Sequence, residues 1–264
     1  MTVMRWARFG RNGAATYGIV EGDEIQPVTG SPFGEWAKSG ARLKLSEVKL
    51  LVPVVPTTFY ACGLNYEEHI RAVAEKVGQS PNLPTQPDVG YRANNALIAQ
   101  GEAIVIPRDA TDKVQYEGEL VVVIGKTAKN LSEADALSCV LGYTIGNDVS
   151  ERSWQKQDRT LWRAKNTDTF KPMGPWIETD VKLPDLVTKI RLNGRELIQF
   201  RTNHMIFGVE KFISTISRYL TLHPGDVLWM GTEGETENMK HGDTVEVEIT
   251  GIGTLRNKVM REGS

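Results

Sequence analysis

Two carboxylates stand near the start of an otherwise apolar, strand-like stretch, residues 116–125. In a β-strand, side chains two positions apart project from the same face, so Glu117 and Glu119 lie side by side. The stretch continues through residues 120–124 without polar alternation, which indicates a strand buried on both faces. A Glu-x-Glu pair usually lies on the solvent face of an antiparallel strand, but the apolar run favours burial here. Two adjacent buried carboxylates repel each other and lose hydration, so their burial requires a cation.

A second strand-like segment, residues 142–146, ends close to a third carboxylate, Asp148, which has Asn147 beside it. The two segments offer only oxygen ligands, since neither contains Cys or His. Oxygen-only ligand sets favour magnesium, manganese or calcium over zinc. The residues alone therefore predict a site for a hard divalent cation near the ends of two strands.

Composition excludes several classes of partner. The chain has 264 residues, a formal net charge of -2 and no long run of Lys or Arg, so nothing favours nucleic-acid binding. Its longest apolar run is far too short to span a bilayer. Cys62 and Cys139 lack metal-site spacing and suit a reducing compartment, and residues 1–6 do not resemble a signal peptide. We expect a cytoplasmic protein with a small-molecule substrate and no membrane partner.

Turn signals and prolines divide the chain into two predicted parts. Residues 1–55 are interpreted as a small, β-rich N-terminal domain, because Asn12-Gly13 is a strong hairpin signal between two strand-like segments. Pro53 and Pro56 interrupt regular strand pairing and mark the boundary. Residues 56–264 form the predicted larger domain.

A helix is predicted to follow the boundary, with Asn65 as its N-cap and Glu68 reaching back to complete the cap. Apolar residues recur at helical spacing up to Val77, and Gly78 ends the segment. Residues 79–88 are rich in proline and small polar residues. They are predicted to form a mobile surface loop, and long loops of this kind often act as lids.

The rest of the chain is predicted to consist mostly of short strands and turns. One helix is predicted from Ser132 to Cys139, where Ser132 and Asp135 have the spacing of a cap. A second is predicted over residues 209–220, and residues 244–250 alternate as a strand with one buried face.

The chain resembles the fumarylacetoacetate hydrolase family along nearly its whole length. The motifs that carry the resemblance are Gly63-Leu64-Asn65-Tyr66-x-x-His69, Tyr116-Glu117-x-Glu119-Leu120, Gly142-Tyr143-Thr144-x-x-Asn147-Asp148-Val149-Ser150-x-Arg152 and Lys165-x-x-Asp168-Thr169-Phe170-x-Pro172-Met173-Gly174-Pro175. Three further stretches match the same catalytic domain: Met205-Ile206-Phe207, Thr221-Leu222-x-Pro224-Gly225-Asp226-Val227 and Gly251-Ile252-Gly253-x-Leu255-x-Asn257. Several motifs in the right order make the resemblance specific for the family and much less so for the substrate.

The resemblance implies a β-rich α+β fold, a mixed β-sandwich roll with a small N-terminal domain, in a protein that is usually a homodimer. It implies Mg²⁺ or Mn²⁺ held by Glu117, Glu119 and Asp148, in agreement with the strand argument. Family members act on 2-oxo or 2,4-dioxo acids, some of them in aromatic compound catabolism. Most hydrolyse a carbon–carbon bond, and others decarboxylate, tautomerise or dehydrate.

The resemblance also implies that His69 is the general base that activates water. Many relatives carry a Glu three residues after this His, and the two form a dyad. This chain has Ala72 at that position, and neither Glu68 nor Glu75 lies at the expected helical offset. Because Ala72 replaces the dyad Glu, two kinds of reaction remain open: hydrolysis, and reactions that need no activated water.

Other implied roles fall on residues spread along the chain. Lys165 is expected to face the metal and the developing oxyanion. Arg152 and Gln155 match positions that contact the substrate or the lid, and Thr232 matches a turn that binds the substrate carboxylate. Glu233 stands where relatives usually have proline, and its charge is expected to alter the preference for acidic substrate tails.

Tyr91 and Arg92 lie where the family often has Phe-x-Lys-Pro. Both are predicted to bind substrate, Tyr91 mainly through packing and Arg92 as the cation in place of the lysine. Arginine and lysine are not interchangeable, because the planar guanidinium can donate two parallel hydrogen bonds to one carboxylate, whereas an ammonium is a compact point charge.

The sequence therefore predicts a magnesium-dependent hydrolase that cleaves a carbon–carbon bond in a 2,4-dioxo acid, of the acylpyruvate or fumarylpyruvate type, through a metal-stabilised enolate. The alternative is a decarboxylase, tautomerase, isomerase or dehydratase that acts on a 2-oxo acid at the same metal site. A third interpretation is a non-catalytic metal-binding or ligand-binding relative, which Ala72 alone favours.

Overall fold

The structure, a computed structural model, describes residues 4–11, 13–76 and 78–264. Its strands are β1 Arg5–Arg11, β2 Ala14–Glu21, β3 Glu24–Gly30, β4 Trp36–Lys38, β5 Leu43–Lys44, β6 Lys49–Leu51, β7 Phe59–Cys62, β8 Val89–Tyr91, β9 Leu97–Ile98, β10 Ile104–Ile106, β11 Val114–Gln115, β12 Gly118–Ile124, β13 Val140–Asn147, β14 Ser150–Glu151, β15 Lys171–Glu178, β16 Val187–Leu192, β17 Arg195–Arg201, β18 Val227–Trp229, β19 Thr244–Ile249 and β20 Gly253–Arg261. Its α-helices are α1 Glu67–Lys76, α2 Arg152–Gln155, α3 Trp162–Asn166 and α4 Val209–Tyr219. Short 3-10 helices cover Leu45–Glu47, Asn94–Ala96, Ala136–Cys139, Leu183–Asp185 and Thr202–His204. Strands dominate this architecture, which confirms the predicted β-rich α+β fold.

One large mixed sheet forms the centre of the molecule. Its strands run in the order β4-β3-β2-β1-β15-β13-β12-β18-β7-β8, with β5, β6 and β9 paired at the side. Strand β12 is buried along its whole length and pairs antiparallel with β13 on one edge and β18 on the other. The prediction of a strand buried on both faces is confirmed.

A second sheet, in the order β10-β20-β19-β16-β17, packs closely against the first near the carboxylate pair. A Cβ atom at Gly118 would lie 2.7 Å from Val247 Cγ1 and 2.9 Å from Ile190 Cδ1. Only a glycine between Glu117 and Glu119 therefore lets the two sheets approach this closely. Strand β19, which contributes Val247, alternates between half-buried and buried residues, as its sequence pattern predicted.

The N-terminal strands extend the large sheet, because β1 pairs antiparallel with β15. The Arg5 guanidinium forms an ion pair with Glu178 across this junction, at 2.6 Å. Strands β1 and β2 form the predicted hairpin, although Asn12 of its turn lies outside the described residues. The division of the chain at residue 55 stays a prediction.

Helices α4 and α1 lie where apolar periodicity placed them, with small differences at their ends. Val77, the last apolar position predicted for α1, lies outside the described residues. Within the described ranges, no helix is both long and apolar enough to cross a membrane.

The predicted cap of α1 is wrong, because Asn65 uses its side chain for tertiary contacts. It is buried, and its Nδ2 donates to the carbonyls of Phe207 at 3.1 Å and Met230 at 3.0 Å. Its Oδ1 accepts the Phe207 backbone N–H at 3.0 Å. Asn65 therefore ties the start of α1 to two distant loops.

The helix predicted from Ser132 to Cys139 is also wrong, since only its last four residues form a 3-10 helix. Ser132 Oγ does accept the Asp135 N–H, at 3.2 Å, but this closes only a turn. The carbonyl of Cys139 accepts N–H groups from Gly125 at 2.7 Å and Lys126 at 3.2 Å. These tertiary hydrogen bonds set where the segment ends.

Candidate active site

Strand register brings the three predicted carboxylates together. Gly118 in β12 pairs with Asn147 in β13, so Glu117 just before β12 lies beside Asp148 just after β13. The Asp148 N–H donates to the Glu117 carbonyl at 2.8 Å. One ligand oxygen from each of Glu117, Glu119 and Asp148 lies within 4.8 Å of the others, and all three side chains are buried.

Two cationic side chains stabilise Glu117 in its charged form. Lys165, on α3, donates from Nζ to Glu117 Oε2 at 2.6 Å and to Asp148 Oδ2 at 2.7 Å. Arg152 Nη1 lies 2.7 Å from Glu117 Oε1. Burial alone would raise the pKa of Glu117, but the charges of Lys165 and Arg152 outweigh it and lower the pKa to about 2.

Asp148 has three cationic partners. Arg92 donates from Nε to Oδ1 at 3.1 Å and from Nη2 to Oδ2 at 2.8 Å. Lys171 Nζ lies 2.7 Å from Oδ1, and Lys165 contacts Oδ2. Burial opposes ionisation, but these charges hold the pKa of Asp148 well below its usual value. In this structure, Arg92 is paired with a candidate metal ligand.

Lys171 was not singled out in the sequence. Its side chain is completely buried, and its Nζ donates to the carbonyls of Val149 at 2.9 Å and Phe170 at 2.8 Å. Burial lowers its pKa to about 7, although the Asp148 charge opposes the shift. A lysine that opens a strand of mostly apolar residues was the available signal for a buried cation.

Glu119 differs from the other two carboxylates. Its Oε2 accepts the Gly231 N–H at 2.8 Å, and no Lys or Arg of the described chain forms an ion pair with it. Burial, followed by the charges of Asp148 and Glu117, raises its pKa to about 8. A divalent cation between the three carboxylates would supply the missing positive charge, so this oxygen-only donor set fits such an ion.

A cavity of about 220 Å³ opens onto these residues. Nine of the ten predicted site residues line it: His69, Arg92, Glu117, Glu119, Asp148, Arg152, Gln155, Lys165 and Thr232. Its other lining residues are Cys62, Gly63, Leu64, Asn65, Asp88, Leu161 and Gly231. Charged side chains of both signs therefore line the cavity, beside apolar residues such as Leu64 and Leu161.

Three of the predicted substrate-binding residues, Arg152, Gln155 and Thr232, differ in the hydrogen bonds that their side chains make. Arg152 Nη1 donates to Gln155 Oε1 at 2.9 Å, which holds the guanidinium beside Glu117. Thr232 Oγ1 is buried and has no hydrogen-bond partner among the described residues. A buried hydroxyl of this kind is available to a ligand in the cavity.

His69 lines the same cavity from α1, and its Nδ1 lies 3.1 Å from the Gly234 carbonyl oxygen. Tyr91 lies outside the cavity. Its side chain is 57% exposed, and its ring centroid lies 5.6 Å from that of Tyr60. Substrate contact by Tyr91 stays a prediction.

Two family models match the chain. Residues 58–260 match the model described as fumarylacetoacetate (FAA) hydrolase C-terminal, and residues 4–53 match one described as Rv2993c-like, N-terminal. Together they cover almost all of the chain.

Curated relatives span nearly the same length but carry different activities in their names. The 2,4-didehydro-3-deoxy-L-rhamnonate hydrolase of Sphingomonas sp. is 35% identical, over 97% of this chain and 96% of that protein. The oxaloacetate tautomerase YisK of Bacillus subtilis is 33% identical, over 91% of this chain and 84% of that protein.

Solved structures share the fold. A 2-hydroxyhepta-2,4-diene-1,7-dioate isomerase from Mycobacterium marinum superposes with a TM-score of 0.88 at 36% identity, covering 99% of this chain and 100% of that one. A maleylpyruvate hydrolase from Sphingobium sp. SYK-6, in complex with manganese(II) and pyruvate, superposes with a TM-score of 0.79 at 26% identity, covering 98% of this chain and 99% of that one.

Proposed function

The chain belongs to the fumarylacetoacetate hydrolase family, and from that premise we propose that it is a divalent-metal-dependent enzyme that hydrolyses a carbon–carbon bond in a 2,4-dioxo acid. The substrate class is an acylpyruvate or fumarylpyruvate, of the kind met in aromatic compound catabolism. One observation carries the proposal: three buried carboxylates, Lys165 and His69 line a single cavity.

The residues that would hold the cation are Glu117, Glu119 and Asp148, with Mg²⁺ as first choice and Mn²⁺ as second. When bound, the cation would act as a Lewis acid that polarises the 2-oxo group and stabilises negative charge developing on it. Manganese in the related maleylpyruvate hydrolase supports a divalent ion at this site.

The chain's own residues would position the substrate and move the proton. His69 would take a proton from water at Nε2, because its Nδ1 faces the Gly234 carbonyl. Lys165 Nζ is held between two carboxylates and would donate a hydrogen bond to the developing oxyanion. Thr232 and Arg152 would bind the substrate carboxylate, with Gln155 orienting Arg152.

The second candidate is tautomerisation, or another reaction of a 2-oxo acid that needs no activated water. Ala72 favours it, because the helix position that supplies a dyad carboxylate in many relatives is apolar here. The oxaloacetate tautomerase among the relatives supports the same chemistry at this site. His69 would then transfer the proton to or from carbon instead of water.

A substrate panel separates the candidates. The protein is freed of metal with EDTA, dialysed, and assayed with Mg²⁺ or Mn²⁺ against acetylpyruvate, fumarylpyruvate and oxaloacetate. Pyruvate release from an acylpyruvate supports hydrolysis, and enol–keto conversion of oxaloacetate without cleavage supports tautomerisation. The Glu119→Gln variant controls for contaminating activity. Metal-independent turnover, or none in the whole panel, would contradict the proposal.

We also propose that the protein is a cytoplasmic homodimer with the two-part division at residue 55. The buried, free thiols of Cys62 and Cys139 support a reducing compartment. The homodimer rests on the family, and light scattering coupled to size-exclusion chromatography tests it. A monomeric mass at assay concentration would contradict it.

A further inference from the structure

Both oxygens of Asp148 are fully occupied by cationic donors. Oδ1 accepts from Arg92 Nε at 3.1 Å and lies 2.7 Å from Lys171 Nζ. Oδ2 accepts from Arg92 Nη2 at 2.8 Å and from Lys165 Nζ at 2.7 Å. A carboxylate offers about four lone-pair positions, so Asp148 can ligate a cation only if one of these donors leaves.

Glu117 is not saturated in this way. Its Oε1 pairs with Arg152 at 2.7 Å and its Oε2 with Lys165 at 2.6 Å, one cationic donor to each oxygen. About two lone-pair positions are left for a further ligand. The block on cation binding therefore lies at Asp148.

The three residues that donate to Asp148 differ in the other hydrogen bonds that hold their side chains in place. Lys171 is completely buried and donates to two backbone carbonyls besides Asp148. Lys165 also donates to Glu117, at 2.6 Å. The other hydrogen bond of the Arg92 guanidinium runs from Nη1 to the adjacent Tyr91 carbonyl, at 3.0 Å. Of the three residues, Arg92 therefore loses the least other bonding when its side chain moves away from Asp148.

The main chain of Arg92 is fixed, because its N–H donates to the Phe59 carbonyl at 3.0 Å directly after β8. Departure therefore means rotation of the side chain, which lines the cavity. A guanidinium does not lose its proton in proteins, so raising the pH cannot release Arg92 from Asp148. Another cation can.

We infer that Arg92 competes with the divalent cation for Asp148, and that cation binding turns the guanidinium into the cavity. There it becomes an anion-binding group for the substrate. The order of binding follows: the cation first, then the acid. This inference rests on the proposed function, because it places a divalent cation on the carboxylate triad.

The first test measures Mn²⁺ binding by isothermal titration calorimetry, with no substrate present. Arg92→Met removes both hydrogen bonds from the guanidinium to Asp148 and should tighten Mn²⁺ binding by about 10- to 100-fold. Arg92→Lys keeps a positive charge but not the paired hydrogen bonds to Asp148, and it should tighten Mn²⁺ binding less. Arg152→Met is the matched control, since it removes a charge from the same cavity while Asp148 stays saturated. It also removes a positive charge beside Glu117, so it should tighten Mn²⁺ binding, but by less than Arg92→Met does, because Glu117 already has free lone-pair positions.

The second test measures oxalate binding to the Mn²⁺-loaded and metal-free proteins. Wild type should bind oxalate at least about tenfold more tightly when loaded. Arg92→Met should lose most of that gain although it binds Mn²⁺ more tightly. Opposite effects of one substitution on the two ligands are not expected from a purely structural role.

Each outcome decides the matter. Equal Mn²⁺ affinity of wild type and Arg92→Met, or an equal gain in Arg152→Met, would overturn the competition alone. Absence of Mn²⁺ binding from every variant would overturn both the competition and the proposed metal site. Thermal unfolding of each variant confirms its fold, and Arg92→Lys carries the test if Arg92→Met does not fold.

Discussion

His69 Nδ1 lies 3.1 Å from the carbonyl oxygen of Gly234, a residue 165 positions away in the chain. A carbonyl only accepts hydrogen bonds, so Nδ1 carries a proton, and in the neutral ring Nε2 carries the free lone pair. We propose that the Gly234 carbonyl orients the His69 ring, as the dyad carboxylate does in many relatives that lack Ala72. Gly234 has φ 91°, a left-handed conformation that glycine adopts without strain.

If the protein is a hydrolase, His69→Ala should lower kcat on an acylpyruvate by about 10²–10⁴-fold, the usual contribution of a general base. The smaller side chain cannot accept the proton from water. Steady-state pyruvate release measures the effect, and Arg71→Ala, on the exposed side of the same helix, serves as the control. Near-normal cleavage by His69→Ala would remove the base assignment.

Gly234→Ala should lower both the stability of the protein and kcat. A Cβ at this position would meet Ile198 Cγ2 at 2.8 Å, in addition to the cost of φ 91°. We expect a loss of about 2–4 kcal/mol in unfolding free energy, from the left-handed backbone and the clash together. Gly242→Ala is the matched control, since Gly242 has φ +90° and open space around its Cβ position. Equal losses in the two variants would show that the contact with Ile198 is unimportant.

Glu119→Gln and Asp148→Asn should both abolish Mn²⁺ binding but differ in their effect on the metal-free protein. Asp148→Asn leaves Arg92, Lys165 and Lys171 with less negative charge and should cost about 3–5 kcal/mol. The variant is therefore not expected to keep the full stability of the fold. Glu119→Gln should be neutral or stabilising, because burial and two like charges already disfavour the ionised form. Urea denaturation in EDTA measures both, and equal destabilisation would contradict the charge assignment.

Glu233→Gln should flatten the pH dependence of stability. Burial, then the hydrogen bond and charge of Glu68, raise the pKa of Glu233 from 4.5 to about 7. The folded protein therefore favours the protonated carboxyl, and this stabilisation is complete below pH 4.5 and is lost as the pH rises through 7. Unfolding free energies at pH 4.5 and 8 should fall less in the variant than in wild type. Exposed Glu35→Gln is the control, and an unchanged slope in Glu233→Gln would refute the prediction.

Asn65→Ala should destabilise the protein by about 2 kcal/mol, because it leaves the buried Met230 carbonyl and the part-buried backbone groups of Phe207 without their partner. Asn65→Ser distinguishes this role from helix capping. Serine is as good an N-cap as asparagine but cannot reach both carbonyls, so it should not restore stability. Asn82→Ala, on the exposed loop, is the control for both. Full stability of Asn65→Ser would return the residue to a capping role.

The sequence by itself determined what depends on local periodicity. A period of two placed Glu117 and Glu119 on one face, and the unbroken apolar run made β12 a buried strand. Helical periodicity located α4, and simple alternation located β19. The oxygen-only donor set predicted the class of ion, because ligand preference is a property of residue type.

Only the tertiary structure decided which groups satisfy these residues, because their partners are far apart in the chain. Asn65 had the spacing of a cap, yet the buried carbonyl of Met230, 165 residues away, takes its Nδ2. Arg92 was expected to bind substrate. In the structure its Nε and Nη2 both donate to Asp148, 56 residues away. A buried donor or acceptor must be paired wherever the chain places its partner, and no local pattern records that distance.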